Sequence, residues 1–190
     1  MRREVMWSAW EEPMLEHLLL TTSGGEIFAD GMIVGLREGN PLRVRYKVRC
    51  DAAWRVRSVR VAALDSSKTP GVDLLSDGEG SWKTRGGEAA PELDGCVDVD
   101  ISATPFTNTL PIRRLGLAPG ESVDIAVAYV GVGEMQVWDE PQRYTCLERR
   151  SDGGLYRFKA LDGGFMADLP VDADSLVLDY PDLFRRVFSG

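Results

Sequence analysis

The chain has 190 residues, 44% hydrophobic and 27% charged, with a formal net charge of −8. That balance fits one folded domain, 1–190, with a sizeable core, and lies far from the composition of disordered chains. A net negative surface repels phosphate backbones and anionic lipid, which speaks against nucleic-acid and non-specific membrane binding.

In chain order, the apolar run 5–10 is closed by Glu11, Glu12 and Pro13, too short for a secretory signal. No run of about 18 apolar residues follows, so no integral membrane helix is expected and the location expected is cytoplasmic. His17, the single histidine, has no elbow serine or companion ligands near it and reads as a surface residue. Residues 26–36 form a strand-like run. From 42 to 50 the alternation is unbroken: Leu42, Val44, Tyr46, Val48 and Cys50 on one phase, Arg43, Arg45, Lys47 and Arg49 on the other. Such a strand has one wet face. After a short connection at 51–53 the pattern resumes through Trp54 and Val56 and slips phase at Ser58, as a β-bulge does. The hairpin so formed collects Arg43, Arg45, Lys47, Arg49, Arg55, Arg57 and Arg60 on its outer face, a surface able to dock an acidic partner or to be neutralised by nearby acids.

Further strand-like runs lie at 81–85, 96–102, 122–132, 135–138, 143–149, 155–161, 165–169 and 176–179, separated by turn formers such as Asp77-Gly78, Asp94-Gly95 and Asp152-Gly153-Gly154. Many short strands with regular turns predict a mainly β protein, a many-stranded antiparallel meander strongly rolled or closed. Two segments read as helical. The seven residues after Tyr180-Pro181 suit a short terminal helix, with the proline in its first turn. Residues 108–117 suit another, capped by Asn108 or Thr109 and stopped by Pro119-Gly120. At about 100° per residue Leu110 and Leu117 project together while Ile112 and Leu115 project almost oppositely. A helix apolar on two sides belongs inside the rolled sheet.

The stretch 93–115 sets polar residues among core-like ones, and polar groups out of water must be paired. Asp98 and Asp100 share one face of their strand, and Arg113 and Arg114 on the following helix are their expected partners. Two readings compete. Asp98, Asp100, Thr104, Thr107, Asn108, Arg113 and Arg114 form a head-group site, with arginine forks for phosphate or carboxylate and hydroxyls and amide for sugar. Otherwise the same residues are a buried ion-pair network with helix caps, which explains each of them without a ligand. A hydrolase using Asp98 and Asp100 is the weaker option, because neighbouring arginines should depress both carboxyl pKa values alike. No catalytic motif is recognisable, so a non-enzymatic protein is expected. Cys50, Cys96 and Cys146 at wide spacing suit neither a disulfide scaffold nor zinc, and are expected as buried thiols, with no metal and no organic cofactor. The tryptophans, with Phe28, Tyr46, Tyr129, Phe158 and Phe165, fill the core or line an apolar cavity. A carrier needs a cavity of about 300 Å³ or more.

Leu93-Asp-Gly-Cys-Val-Asp-Val-Asp-Ile, the string Thr104-Pro-Phe-Thr-Asn-Thr-Leu-Pro-Ile-Arg-Arg-Leu, Asp51 with Trp54 and Arg57, Asp77-Gly78 with Gly80 and Trp82, Gln142-Arg-Tyr-Thr and Asp179-Tyr-Pro together resemble a bacterial family of unknown function labelled "putative glycolipid-binding". The resemblance runs over almost the whole chain. It implies a spiral β-roll, a long sheet wound around one α-helix, and an amphipathic glycolipid or lipid as ligand. It carries over no catalytic residues.

Overall fold

The computed structural model describes residues 1–64 and 71–190. Its strands are β1 (Arg2–Ala9), β2 (Met14–Ser23), β3 (Glu26–Arg37), β4 (Asn40–Cys50), β5 (Val56–Ala63), β6 (Val72–Ser76), β7 (Trp82–Thr84), β8 (Asp98–Ile101), β9 (Ser122–Gly131), β10 (Gln136–Arg150), β11 (Gly153–Ala160), β12 (Met166–Asp172), β13 (Asp179–Tyr180) and β14 (Phe184–Ser189). Helix α1 (Thr109–Leu115) lies between β8 and β9. Nine strands hydrogen-bond in the order β13-β14-β1-β2-β3-β4-β5-β6-β7, and five in the order β12-β11-β10-β9-β8. An isolated bridge between Val171 and Val177, with Leu178 N donating to Pro170 O at 2.8 Å, stitches β12 to the approach of β13 and joins the two sheets into one curled ribbon. One pair departs from the antiparallel rule: β8 and β9 run parallel. The cause is α1 itself, because a chain that returns in the same direction needs a crossover, and here the crossover is the helix.

The two-sided apolar pattern of that helix has the expected consequence. Leu110 and Ile112 are both buried, as are Phe106 before the helix and Leu117 after it, and only the C-terminal end emerges. The helix is stopped earlier than Pro119-Gly120: Gly116, in the left-handed region at φ 58°, turns the chain and donates its N–H to Ile112 O. The β4–β5 hairpin carries its bulge at Arg57 rather than Ser58, since Arg49 pairs with Ser58 and Cys50 with Val56, leaving Arg57 as the extra residue.

Two sequence expectations are corrected, and three strands are added. The terminal segment is not a helix but strand β14, which pairs with β1 from Val5↔Ser189 to Ala9↔Phe184. A seven-residue helix is marginal in water, whereas the open edge of β1 offers a full ladder to an aromatic and β-branched segment. The runs expected at 135–138 and 143–149 are one strand, β10, that passes through Pro141. Pro141 O accepts from Leu161 N just beyond the end of β11, so the missing N–H leaves no gap in the ladder. Finally β1, β2 and β6 were not foreseen. All three thiols are buried and free.

Candidate functional site

The polar stretch after β8 resolves into distinct clusters around α1. Asp98 is fully enclosed, and Arg114, 18% exposed, reaches it with Nη2 at 2.6 Å and Nε at 3.1 Å from both oxygens. The pairing expected of Arg114 is therefore present. Asp100 meets no arginine. It accepts from Thr107 Oγ1 at 2.7 Å and from Gln142 Nε2 at 2.8 Å, and Thr107 Oγ1 in turn accepts from Ile101 N at 3.2 Å. Arg113 departs from expectation altogether: its guanidinium lies 5.0 Å from the centroid of the Trp54 ring, at the far end of α1. Nor does the Asn108 side chain cap the helix; its Oδ1 accepts from Tyr144 OH at 3.0 Å.

The arginines do not depress the two aspartates alike. Burial raises Asp98 and the Arg114 ion pair only partly offsets it, while burial raises Asp100 against its bonds from Gln142 and Thr107. Desolvation outweighs one guanidinium because the carboxylate has lost nearly all its water.

Thr104 leads to a residue that was not singled out from the sequence. Its hydroxyl donates to Glu16 Oε1 at 2.7 Å and accepts from Phe106 N at 3.0 Å. Tyr46 OH also donates to Glu16. Glu16 is 2% exposed, its Oε2 has no partner among the described residues, and burial pushes its carboxyl up to about 7 against the two hydroxyl bonds. A signal existed: on β2, Glu16 falls on the same phase as Leu18 and Leu20, both buried. Gln142, in phase with Tyr144 and Cys146, was legible in the same way.

Asp100, Thr104 and Asn108 share a cavity of about 290 Å³. Ser102 and Glu140 add polar groups to its lining, Tyr129 stands beside Asp100 as its register partner on β9, and Phe158, Phe165, Tyr180 and Phe184 supply further aromatic faces. The rings support one another, Phe158 against Tyr180 at 6.4 Å, Phe165 against Tyr180 at 6.1 Å and Tyr180 against Phe184 at 6.3 Å between centroids. Burial raises Glu140 as well, opposed by a bond from Gln142. Among the described residues neither arginine nor lysine lines this cavity. An adjoining cavity of about 440 Å³ shares Ser102, Leu183 and Phe184 with it and has Ala9, Met14, Leu36 and Ala103 in its wall. The same wall carries Glu11, Glu12, Arg37, Glu38 and Asp182, so the first cavity is polar and aromatic and the second combines aliphatic with charged side chains.

Elsewhere the candidates disperse. Most of the basic hairpin face is paired with acids: Arg45 bonds Asp30 at 2.6 and 2.9 Å, Lys47 stands 3.6 Å from the same acid, and Arg49, Arg55 and Arg60 pair with Glu26, Glu79 and Asp73, whereas among the described residues Arg43 and Arg57 make no ion pair. His17 is half exposed, 3.7 Å from Glu4. Trp7, Tyr46 and Trp82 are core, with Trp7 Nε1 donating to Val177 O at 2.8 Å and Trp82 Nε1 to Cys96 O at 2.6 Å. Among the described residues no helix is long and apolar enough to cross a membrane.

A family model described as "Putative glycolipid-binding" matches residues 4–186. The chain is similar to a DUF1089 family protein from Pseudomonas aeruginosa whose crystal structure is known, with 36% identity over 95% of this chain and 92% of that chain and a TM-score of 0.76. No curated protein matches it.

Proposed function

The chain belongs to the family described as "Putative glycolipid-binding", and from that premise we propose that it binds a glycolipid without turning it over, holding the sugar in the Asp100 cavity and the chain in the adjoining one. The observation that carries this reading is the pairing of aromatic faces with carboxylate, amide and hydroxyl groups in one cavity of about 290 Å³. Sugars present C–H faces that pack on rings and hydroxyls that need acceptors and donors, and such a wall supplies both. By itself the cavity falls just short of the roughly 300 Å³ at which ligand pockets begin, so it seats a head group alone. The apolar tail then follows Leu183 and Phe184 into the larger cavity of about 440 Å³.

Binding rather than hydrolysis is supported by the commitments of the acids. Both Asp98 oxygens face Arg114, and both Asp100 oxygens already accept hydrogen bonds. Neither is poised as a proton donor across from a free base.

The test is chemical denaturation in the presence of a panel of neutral glycolipids and their soluble head groups. A ligand at about 100 times its dissociation constant should add roughly 2.7 kcal/mol. Phe165→Ala, at a partly exposed wall position, should lose most of that gain while folding normally. No stabilisation by any member of the panel, or an equal gain in Phe165→Ala, contradicts the reading.

A further inference from the structure

At the opposite end of α1 lies a cleft of about 500 Å³ whose character is the reverse of the first. Arg113 enters it from the last turn of α1, Arg149 and Arg150 from the end of β10, and Trp54 and Tyr156 form aromatic walls. Arg150 is paired with Glu148 at 2.6 Å. Asp172, the one acid in the wall, is already engaged by Arg186 at 2.6 Å and by the N–H groups of Asp174 and Leu176. Among the described residues neither Arg113 nor Arg149 has a carboxylate partner. Arg113 lies over the Trp54 ring, and Arg149 reaches only Gly116 O, at 3.4 Å, longer than an ordinary N–H···O bond. Both line the cleft with Tyr156, whose phenol is raised by burial and by the Cys146 thiol, with Arg149 and Arg113 opposing the rise. In a chain whose acids outnumber its bases 30 to 22, two converging guanidiniums without carboxylates leave a local positive field against the net charge.

We propose that this cleft is a second ligand site, for a phosphate-type oxyanion, which Arg113 and Arg149 grip between Trp54 and Tyr156. A guanidinium is a planar fork that matches two phosphate oxygens, and stacking on Trp54 pre-orients Arg113 so that less freedom is lost on binding. The proposal is independent of the glycolipid reading, since the two cavities share no lining residue.

The test titrates the protein with inorganic phosphate, with glycerol phosphate, and with phosphatidylglycerol vesicles against phosphatidylcholine vesicles, following heat and the Trp54 indole N–H resonance. Saturable binding of a phosphate probe that shifts the Trp54 signal is expected, and Arg149→Gln and Arg113→Gln should each weaken it about tenfold or more. Phe165→Ala should leave it unchanged. Binding to the soluble phosphates identifies a free phosphorylated ligand, and binding only to phosphatidylglycerol identifies a lipid phosphate; either supports the site. Absence of saturation with every phosphate probe, vesicle binding that fails to distinguish phosphatidylglycerol from phosphatidylcholine when no soluble phosphate binds, or undiminished binding by Arg149→Gln overturns it. Arg149 lies at an exposed strand end, so that variant remains decisive if Arg113→Gln fails to fold.

Discussion

Replacing Glu16 by glutamine should stabilise the protein at neutral and alkaline pH and leave it nearly unchanged in acid. Glu16 is enclosed, its carboxyl raised from 4.5 to about 7. The folded state therefore binds the Glu16 proton more tightly than the unfolded chain. Between those two values the native form holds more protons, so stability falls as pH rises, its contribution being complete below the unfolded value and lost by the folded one. A shift of that size corresponds to about 3 kcal/mol in all, of which roughly 2 to 3 kcal/mol falls between pH 5 and pH 8. Glutamine keeps the acceptor that Tyr46 and Thr104 use and cannot ionise. Asp98, Asp100 and Glu140 are also raised by burial and tilt the wild-type curve the same way. The difference between Glu16→Gln and wild type cancels them. Urea unfolding of both proteins at several pH values from 5 to 8 measures it. A pH-independent difference, or one that favours wild type at pH 8, would refute the assignment of Glu16 as a buried carboxyl that prefers its proton.

Arg114→Leu leaves Asp98 enclosed without its bidentate partner and should cost about 3 to 5 kcal/mol in urea unfolding. Replacing both residues by leucine should recover much of that loss, and no recovery would show that the pair is not the cause. Gly31→Ala places a methyl 2.1 Å from the Tyr46 ring, which lies over Gly31 across the β3–β4 pair; a cost of about 1 to 3 kcal/mol is expected. Gly133→Ala, where an added methyl meets nothing within 4 Å, should stay within about 0.5 kcal/mol of wild type.

The strands and the enclosed helix were legible because their signals are local and periodic. The alternation of 42–50 set β4 and its burial residue by residue, and the two-sided apolar face of 108–117 required a helix inside the sheet, as found. What was not legible depends on distant chain. β14 forms because β1 presents an edge, a fact that no window around 182–188 contains. The Asp98–Arg114 pair could be anticipated from adjacency, yet Asp100 turns to Gln142 and Arg113 to Trp54, partners that only the winding of the ribbon brings near. The aromatic lining joins residues from β9, β11, the β11–β12 connection, β13 and β14, so the cavity had no sequence window of its own. Glu16 is different: its phase on β2 was readable, and it went unremarked because the strand itself did.

The proposal that matters most is that the Asp100 cavity and the adjoining one hold one amphipathic molecule. Native mass spectrometry of gently purified protein, followed by organic extraction and identification of the extract, tests it most directly. The account predicts a stoichiometric sugar-bearing lipid in wild type that is depleted in Phe165→Ala. An empty wild-type protein that also fails to take up any glycolipid offered to it would contradict it.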